Sequence, residues 1–188
     1  MKSTYTVAYR RKREGKTDYK KRMKILLGNK PRLAIRKSLK NITLQIIEFQ
    51  PKGDKVVTSA SSKELSKHGW KASTSNLGAA YLTGLLLAKK AKKTECVLDI
   101  GQYTSVKGSM LYAAALGAQD GGLKITLAKE ILPPIQRIRG EHIAQYAKQL
   151  KTNKEKYERQ FSKYIKAGLD PEKLPEHFDT VKKTIGGK

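Results

Sequence analysis

The run from Lys30 to Phe49, KPRLAIRKSLKNITLQIIEF, limits the possible folds more than any other part of the chain. Leu33 and Ile35 alternate with Arg32, Ala34 and Arg36, and Ile42, Leu44 and Ile46 alternate with Thr43 and Gln45. Side chains of a strand repeat with a period of two, so each run sends its aliphatic residues to one face and its polar residues to the other. Ser38, Lys40 and Asn41 supply turn chemistry between the runs. The stretch therefore reads as a hairpin, apolar on one face and basic on the other. Arg32 and Arg36 share the outward face, where like charges repel. Such a face is either simply solvated or laid against an anion.

The overall charge favours an anion. The chain has 188 residues, with 40 Lys and Arg against 16 Asp and Glu, and a formal net charge of +24. An excess of this size opposes compaction through self-repulsion and points to a polyanionic partner, either nucleic acid or an anionic membrane. No stretch approaches the roughly 18 to 20 apolar residues that a spanning helix needs, so no membrane role is expected. The amino-terminal stretch has no apolar core of the secretory type. Cys96 is the only cysteine, which excludes an intrachain disulfide and a multi-cysteine zinc site.

Along the chain, residues 1–29 form a basic arm. Arg10, Arg11, Lys12, Arg13, Lys20, Lys21 and Arg22 are interleaved with Tyr5, Tyr9 and Tyr19, and few aliphatic residues precede Met23. Such a segment buries too little to fold alone and orders on a partner, although a disordered solubilising tail is the plain alternative. A helix is expected from Thr17, capped by Thr17 or Asp18 and ended by Gly28 and Asn29. Residues 30–127 carry the core. Lys55–Ala60 supplies a third strand of an antiparallel meander. Leu77–Ala88 supplies a helix in which Gly78 and Gly84 allow close approach to a sheet, and which ends in Lys89, Lys90, Lys92 and Lys93. Cys96–Ile100, CVLDI, reads as a strand parallel to a partner, and Ser109–Gln119 as a second helix. Leu123–Leu127 is either a short strand or an extended segment. Residues 128–188 read as a loop broken by Pro133 and Pro134, one helix over about 141–167, and an irregular tail to Lys188 with room for one short helix.

Catalytic groups do not converge in the sequence. His68, His142 and His177 have no helical metal-ligand spacing, and neither a Walker loop nor a G-x-S-x-G elbow is present. Asp99 is the one acidic residue within an apolar strand, and it reads as a structural hydrogen-bonding group rather than a metal ligand. Trp70 is either a core anchor or a base-stacking surface. No cofactor is expected.

Several long segments, in order, carry a resemblance: TDYKKRMKILL (17–27), KPRLAIRKSLKNITLQIIE (30–48), HGWKASTSNLGAAYLTGLLLAKKA (68–91), CVLDIG (96–101) and EILPPIQRIRGEHIAQYA (130–147). From about Thr17 to Lys148 the chain is similar to the archaeal and eukaryotic branch of the L-eighteen family of large-subunit ribosomal proteins, which bind 5S ribosomal RNA. After Lys148 the pattern is weak. The resemblance implies an α/β fold, with a mixed sheet, an antiparallel meander and helices packed mainly on one side, between a basic arm and a helical carboxy-terminal extension. It implies a structural, non-enzymatic role in the large subunit of the cytoplasmic ribosome, attaching 5S RNA in the central protuberance against large-subunit RNA and neighbouring ribosomal proteins. On that reading Lys and Arg fix phosphates and 2′-hydroxyls, while Tyr and Asn take unpaired bases. The expected RNA contacts are Arg10, Arg11, Arg13, Lys20, Lys21 and Arg22 in the arm, and Arg32, Arg36, Lys37, Lys40 and Asn41 on the hairpin. Trp70, Lys71, Arg137, Arg139 and His142 form a second set. Two rival readings are an RNA-processing enzyme on a ribonuclease-H-like scaffold and a basic adaptor for acidic proteins.

Overall fold

The computed structural model describes residues 6–91 and 95–186; Tyr5, Lys92, Lys93 and Lys188 lie outside the described residues. In chain order the elements are α1 (Arg10–Arg13), α2 (Tyr19–Leu26), β1 (Arg32–Lys37), β2 (Ile42–Glu48), β3 (Lys55–Ser61), α3 (Leu77–Lys90), β4 (Val97–Asp99) and α4 (Met110–Asp120). After these come α5 (Ile135–Arg139), α6 (Glu141–Leu150), α7 (Lys154–Lys166) and α8 (Leu174–Gly186).

The hairpin forms as its alternation requires. β1 pairs antiparallel with β2 so that Leu33 faces Ile46 and Ile35 faces Leu44, and β2 pairs antiparallel with β3. β4 lies parallel to β1, giving the mixed order β3-β2-β1-β4. A bulge leaves Val57 unpaired between Ile46 and Ile47, which places it on the edge strand, where one extra residue flips faces locally without disturbing β1. Leu33, Ile35, Ile42, Leu44, Ile46 and Ala60 are all buried beneath the helical layer.

That layer is built on α3 and α4, and it corrects the expected role of the glycines. A Cβ on Gly84 would stand 2.1 Å from the Ala114 carbonyl oxygen, and one on Gly117 would stand 2.0 Å from that of Tyr81. These glycines let two helices touch backbone to backbone, rather than let a helix approach the sheet. At Gly78 the Cβ would meet the Ile138 carbonyl at 2.9 Å, so this glycine admits the 128–140 segment.

Beyond α4 the chain departs from the expected single long helix over about 141–167, and the tail, expected to be irregular with room for one short helix, is mostly helical. Helix α6 stops at Leu150, and Asn153 caps α7 by accepting a hydrogen bond from the Lys156 amide at 3.2 Å. Residues 174–186 form a full helix, α8, whose Leu174, Phe178, Val181 and Ile185 are buried against α3. Their spacing of four, three and four residues is a helical stripe, and Pro175 sits in the first turn, where its missing amide costs nothing. The arm contains α1 and α2 but, among the described residues, nothing buried, and α2 is capped by Asp18, which accepts from the Lys21 amide at 3.1 Å.

Candidate nucleic-acid interface

On the sheet face opposite the helical layer, β1 presents Arg32 and Arg36 at positions two strand periods apart. Their burial differs, although both reach Asp99. The Arg32 side chain is only 5% exposed; its Nη1 donates to the Asp99 carboxylate of β4 at 3.0 Å and its Nη2 to Asp54 at 2.6 Å. Asp54, in the turn between β2 and β3, also accepts both guanidinium nitrogens of Arg22 from α2, at 2.9 and 2.8 Å. Arg36 reaches the other side of Asp99, donating to its carbonyl oxygen at 2.9 Å and to its carboxylate at 3.2 Å, with its side chain still 45% exposed. Arg22, Asp54, Arg32, Asp99 and Arg36 thus form one continuous chain of alternating charge. The expectation that Arg32 faces an RNA phosphate is corrected: two carboxylates from other elements cover it. Burial pushes the Asp54 carboxyl up, but the hydrogen bonds from Arg22 and the charge of Arg32 outweigh this and hold it below its ordinary value.

The same network fastens the arm. Lys21 donates to the Gly101 carbonyl at 2.9 Å, and Gly101 has φ +62 with its Cα facing the Arg36 guanidinium, where a Cβ would stand 3.2 Å from its carbon. The amide of Gly101 in turn donates to Asp99 at 2.8 Å. Lys21 and Arg22 therefore spend their donors inside the protein, and they orient α2 so that Lys20 and Lys24 stay exposed. Arg10 pairs only loosely with Glu14 at 3.6 Å, while Arg11 donates to the Thr17 hydroxyl at 2.9 Å. Among the described residues Arg11, Arg13, Lys20, Lys37 and Lys40 are exposed and form no salt bridge with a carboxylate. They are among the cations left for a partner.

At the far end of the hairpin, the Ser38 amide donates to the Asn41 carbonyl at 2.8 Å, closing a turn that carries Leu39, Lys40 and Asn41 outward. Tyr103 brackets the strand end: its hydroxyl accepts from the Lys37 amide at 3.1 Å and donates to the Lys37 carbonyl at 2.5 Å.

The second set of residues lies apart, and its members do not act alike. Trp70 is 5% exposed, donates its indole N–H to the Ser73 carbonyl at 3.1 Å and stacks on His177 with ring centroids 5.2 Å apart. It is the core anchor, so its expected contact with RNA is corrected. His177 accepts from the Lys71 amide at 3.2 Å, and burial together with the Lys71 charge lowers its pKa. The Lys71 side chain is exposed. Arg139 is tied to Asp179 and to Glu141, the latter at 3.3 Å, whereas Arg137 and His142 remain exposed. Partial burial and the Arg137 charge lower the His142 pKa.

Among the described residues no group of three or more His, Cys, Asp or Glu is placed to hold a metal ion, and no helix is long and apolar enough to cross a membrane. Asp54 and Asp99, the carboxylates nearest the basic face, are each engaged by two arginines.

A family model described as "Ribosomal large subunit proteins 60S L5, and 50S L18" matches residues 3–95, a span that holds the arm and the hairpin. The large ribosomal subunit protein uL18 of Thermofilum pendens is 51% identical over 185 residues, covering 96% of this chain and 94% of that protein. The likeness therefore runs past Lys148, where the sequence resemblance is weak, and takes in the helices α7 and α8.

Proposed function

The chain belongs to the uL18 family of large ribosomal subunit proteins, and on that premise we propose that it grips 5S ribosomal RNA and attaches it to the subunit at the central protuberance. As a member it is a structural, non-enzymatic constituent of the large subunit of the cytoplasmic ribosome, associated with ribosomal RNA and ribosomal proteins. The family removes the RNA-processing enzyme from consideration. The observation that carries the proposal is the division of the cations into two groups. Arg22, Arg32 and Lys21 are spent on internal partners that fix the arm to the sheet, and Arg36 is shared between Asp99 and solvent, while Arg11, Arg13, Lys20, Lys37 and Lys40 are held outward on the arm and hairpin, with Arg10 loosely paired beside them.

In this reading residues 1–29 grip the RNA, residues 30–127 hold the grip in a fixed orientation and offer Lys71, and residues 128–188 brace the helical layer and offer Arg137. Fixing the cations before binding lowers the ordering cost that a free basic tail would bear. Structured RNA offers phosphates and 2′-hydroxyls more readily than its deep major groove, which suits a surface of Lys and Arg. The test is binding of the full chain to 5S RNA with an equal-length duplex RNA as competitor. Retention of 5S RNA against a large excess of the duplex is expected. Equal displacement by the duplex would reduce the role to charge alone and overturn the 5S assignment.

A further inference from the structure

Where the hairpin tip meets the segment after Trp70 and the helix α7, a cleft of about 320 Å³ is lined by Leu39, Lys40, Lys71, residues 72–75, Lys163 and Tyr164. Its walls come from three places far apart in the sequence, and two of them are bonded to each other. The Thr74 hydroxyl donates to the Lys40 carbonyl at 2.6 Å, joining the tip to the 71–75 segment. The Tyr164 ring lines the same opening as Ser73, Thr74 and Ser75, which brings α7 beside that segment. Ser73 and Ser75 hold each other's hydroxyls at 3.3 Å.

The cleft differs from the network under the arm in one respect. There every buried cation has a carboxylate; here, among the described residues, no carboxylate lines the opening and Lys40, Lys71 and Lys163 form no salt bridge. Three like charges around one opening repel one another, and a bound anion relieves this. The remaining lining is apolar or hydroxylic: Leu39, 97% exposed at the tip, Ala72, the Tyr164 ring and three short side chains. A multivalent anion with an apolar body matches that combination, and a sugar–phosphate chain is such an anion.

We propose that this cleft binds a phosphodiester segment of ribosomal RNA, with Lys40, Lys71 and Lys163 on successive phosphates and Leu39 and Tyr164 against sugar or base. The inference rests on the RNA-binding role proposed above and extends it to α7, which supplies Lys163. It makes the carboxy-terminal helices part of the RNA contact and not merely a brace. The cleft lies at the hairpin tip, whereas the arm is fastened at Asp54, beyond the other end of β2, so a single RNA can be held at both ends of the hairpin.

The test is the K71Q/K163Q double variant of the full chain, compared with wild type and with K148Q/K156Q, which removes two exposed lysines from α6 and α7 outside the cleft. Affinity for 5S RNA and for large-subunit RNA is measured between 50 and 200 mM salt. Each phosphate contact carries a slope of about 0.7 to 0.9, so two fewer contacts should make the affinity loss over that range about tenfold smaller than in wild type. The control variant should keep the wild-type slope, and thermal melting should be the same for all three because the lysines are exposed. RNA binding by wild type with an unchanged slope in K71Q/K163Q overturns the cleft and leaves the proposed function standing. Absence of RNA binding by wild type overturns both.

Discussion

Gln in place of Arg32 should be the most damaging polar substitution in the chain, although the residue belongs to the face that sequence alone assigns to a partner. It leaves Asp99, 8% exposed, and Asp54 short of a cation. Removing one member of a buried ion pair costs about 3 to 5 kcal/mol when the other charge is left alone; here Asp99 keeps Arg36 and Asp54 keeps Arg22, so the loss should fall at or below the lower end of that range. The urea midpoint of R32Q should fall accordingly. R36Q alters a half-exposed pair and should melt within about 1 kcal/mol of wild type while losing RNA affinity. A normal midpoint for R32Q would mean that the network does not bear on stability. Acid provides an independent check. The folded carboxyl of Asp54 titrates below its unfolded value, so its contribution is fully present above the unfolded pKa of about 3.9 and is lost as pH falls through the lower folded value. The stability difference between wild type and D54N should hold from pH 8 to 5 and close below about pH 4. A difference that persists undiminished at pH 2 would sink the assignment.

At the scale of elements, α8 carries a sharper expectation than its polar composition suggests. Phe178 is 3% exposed and lies 5.7 Å from the Tyr81 ring and 6.5 Å from Trp70, so F178A should cost about 3 to 5 kcal/mol in denaturant unfolding. A cost under about 1 kcal/mol would make α8 a loosely attached appendage. The sequence made the strands legible because β1 and β2 each have one wet and one dry face, and alternation records that directly. It made β4 legible because a short apolar run after a helix has few places to go except beside a parallel strand. The helix α8 was harder to read because Pro175, Glu176 and several lysines surround its stripe, yet the stripe itself was present at Leu174, Phe178, Val181 and Ile185. The break at Asn153 was a visible capping residue inside a pattern that otherwise ran on. Burial of Arg32 was not legible at all. Periodicity assigns a face, but the carboxylates that cover it arrive from 22 and 67 residues away, and no local signal carries that distance.

For the molecule as a whole, the arm and the domain should separate cleanly in experiment. Residues 6–16 are exposed or half-exposed throughout, and the hydrogen bonds, ion pairs and ring contact of Tyr9, Arg10, Arg11 and Lys16 go to other arm residues, so a chain lacking residues 1–16 should keep its thermal transition while RNA affinity drops. Loss of the transition would make the arm part of the core. The intact chain should lose about two orders of magnitude in RNA affinity between 50 and 200 mM salt if five phosphates are neutralised. An affinity that hardly moves would remove the electrostatic basis of binding. The network under the arm also has a temporal side. Translation delivers Arg22 some 32 residues ahead of Asp54, and Arg32 some 67 ahead of Asp99. Until β4 is made, the arginine at the start of β1 has no second carboxylate, and the parallel pairing that buries it cannot close. A growing chain therefore shows more free cations than the finished one, and completing the sheet withdraws them from indiscriminate nucleic-acid binding.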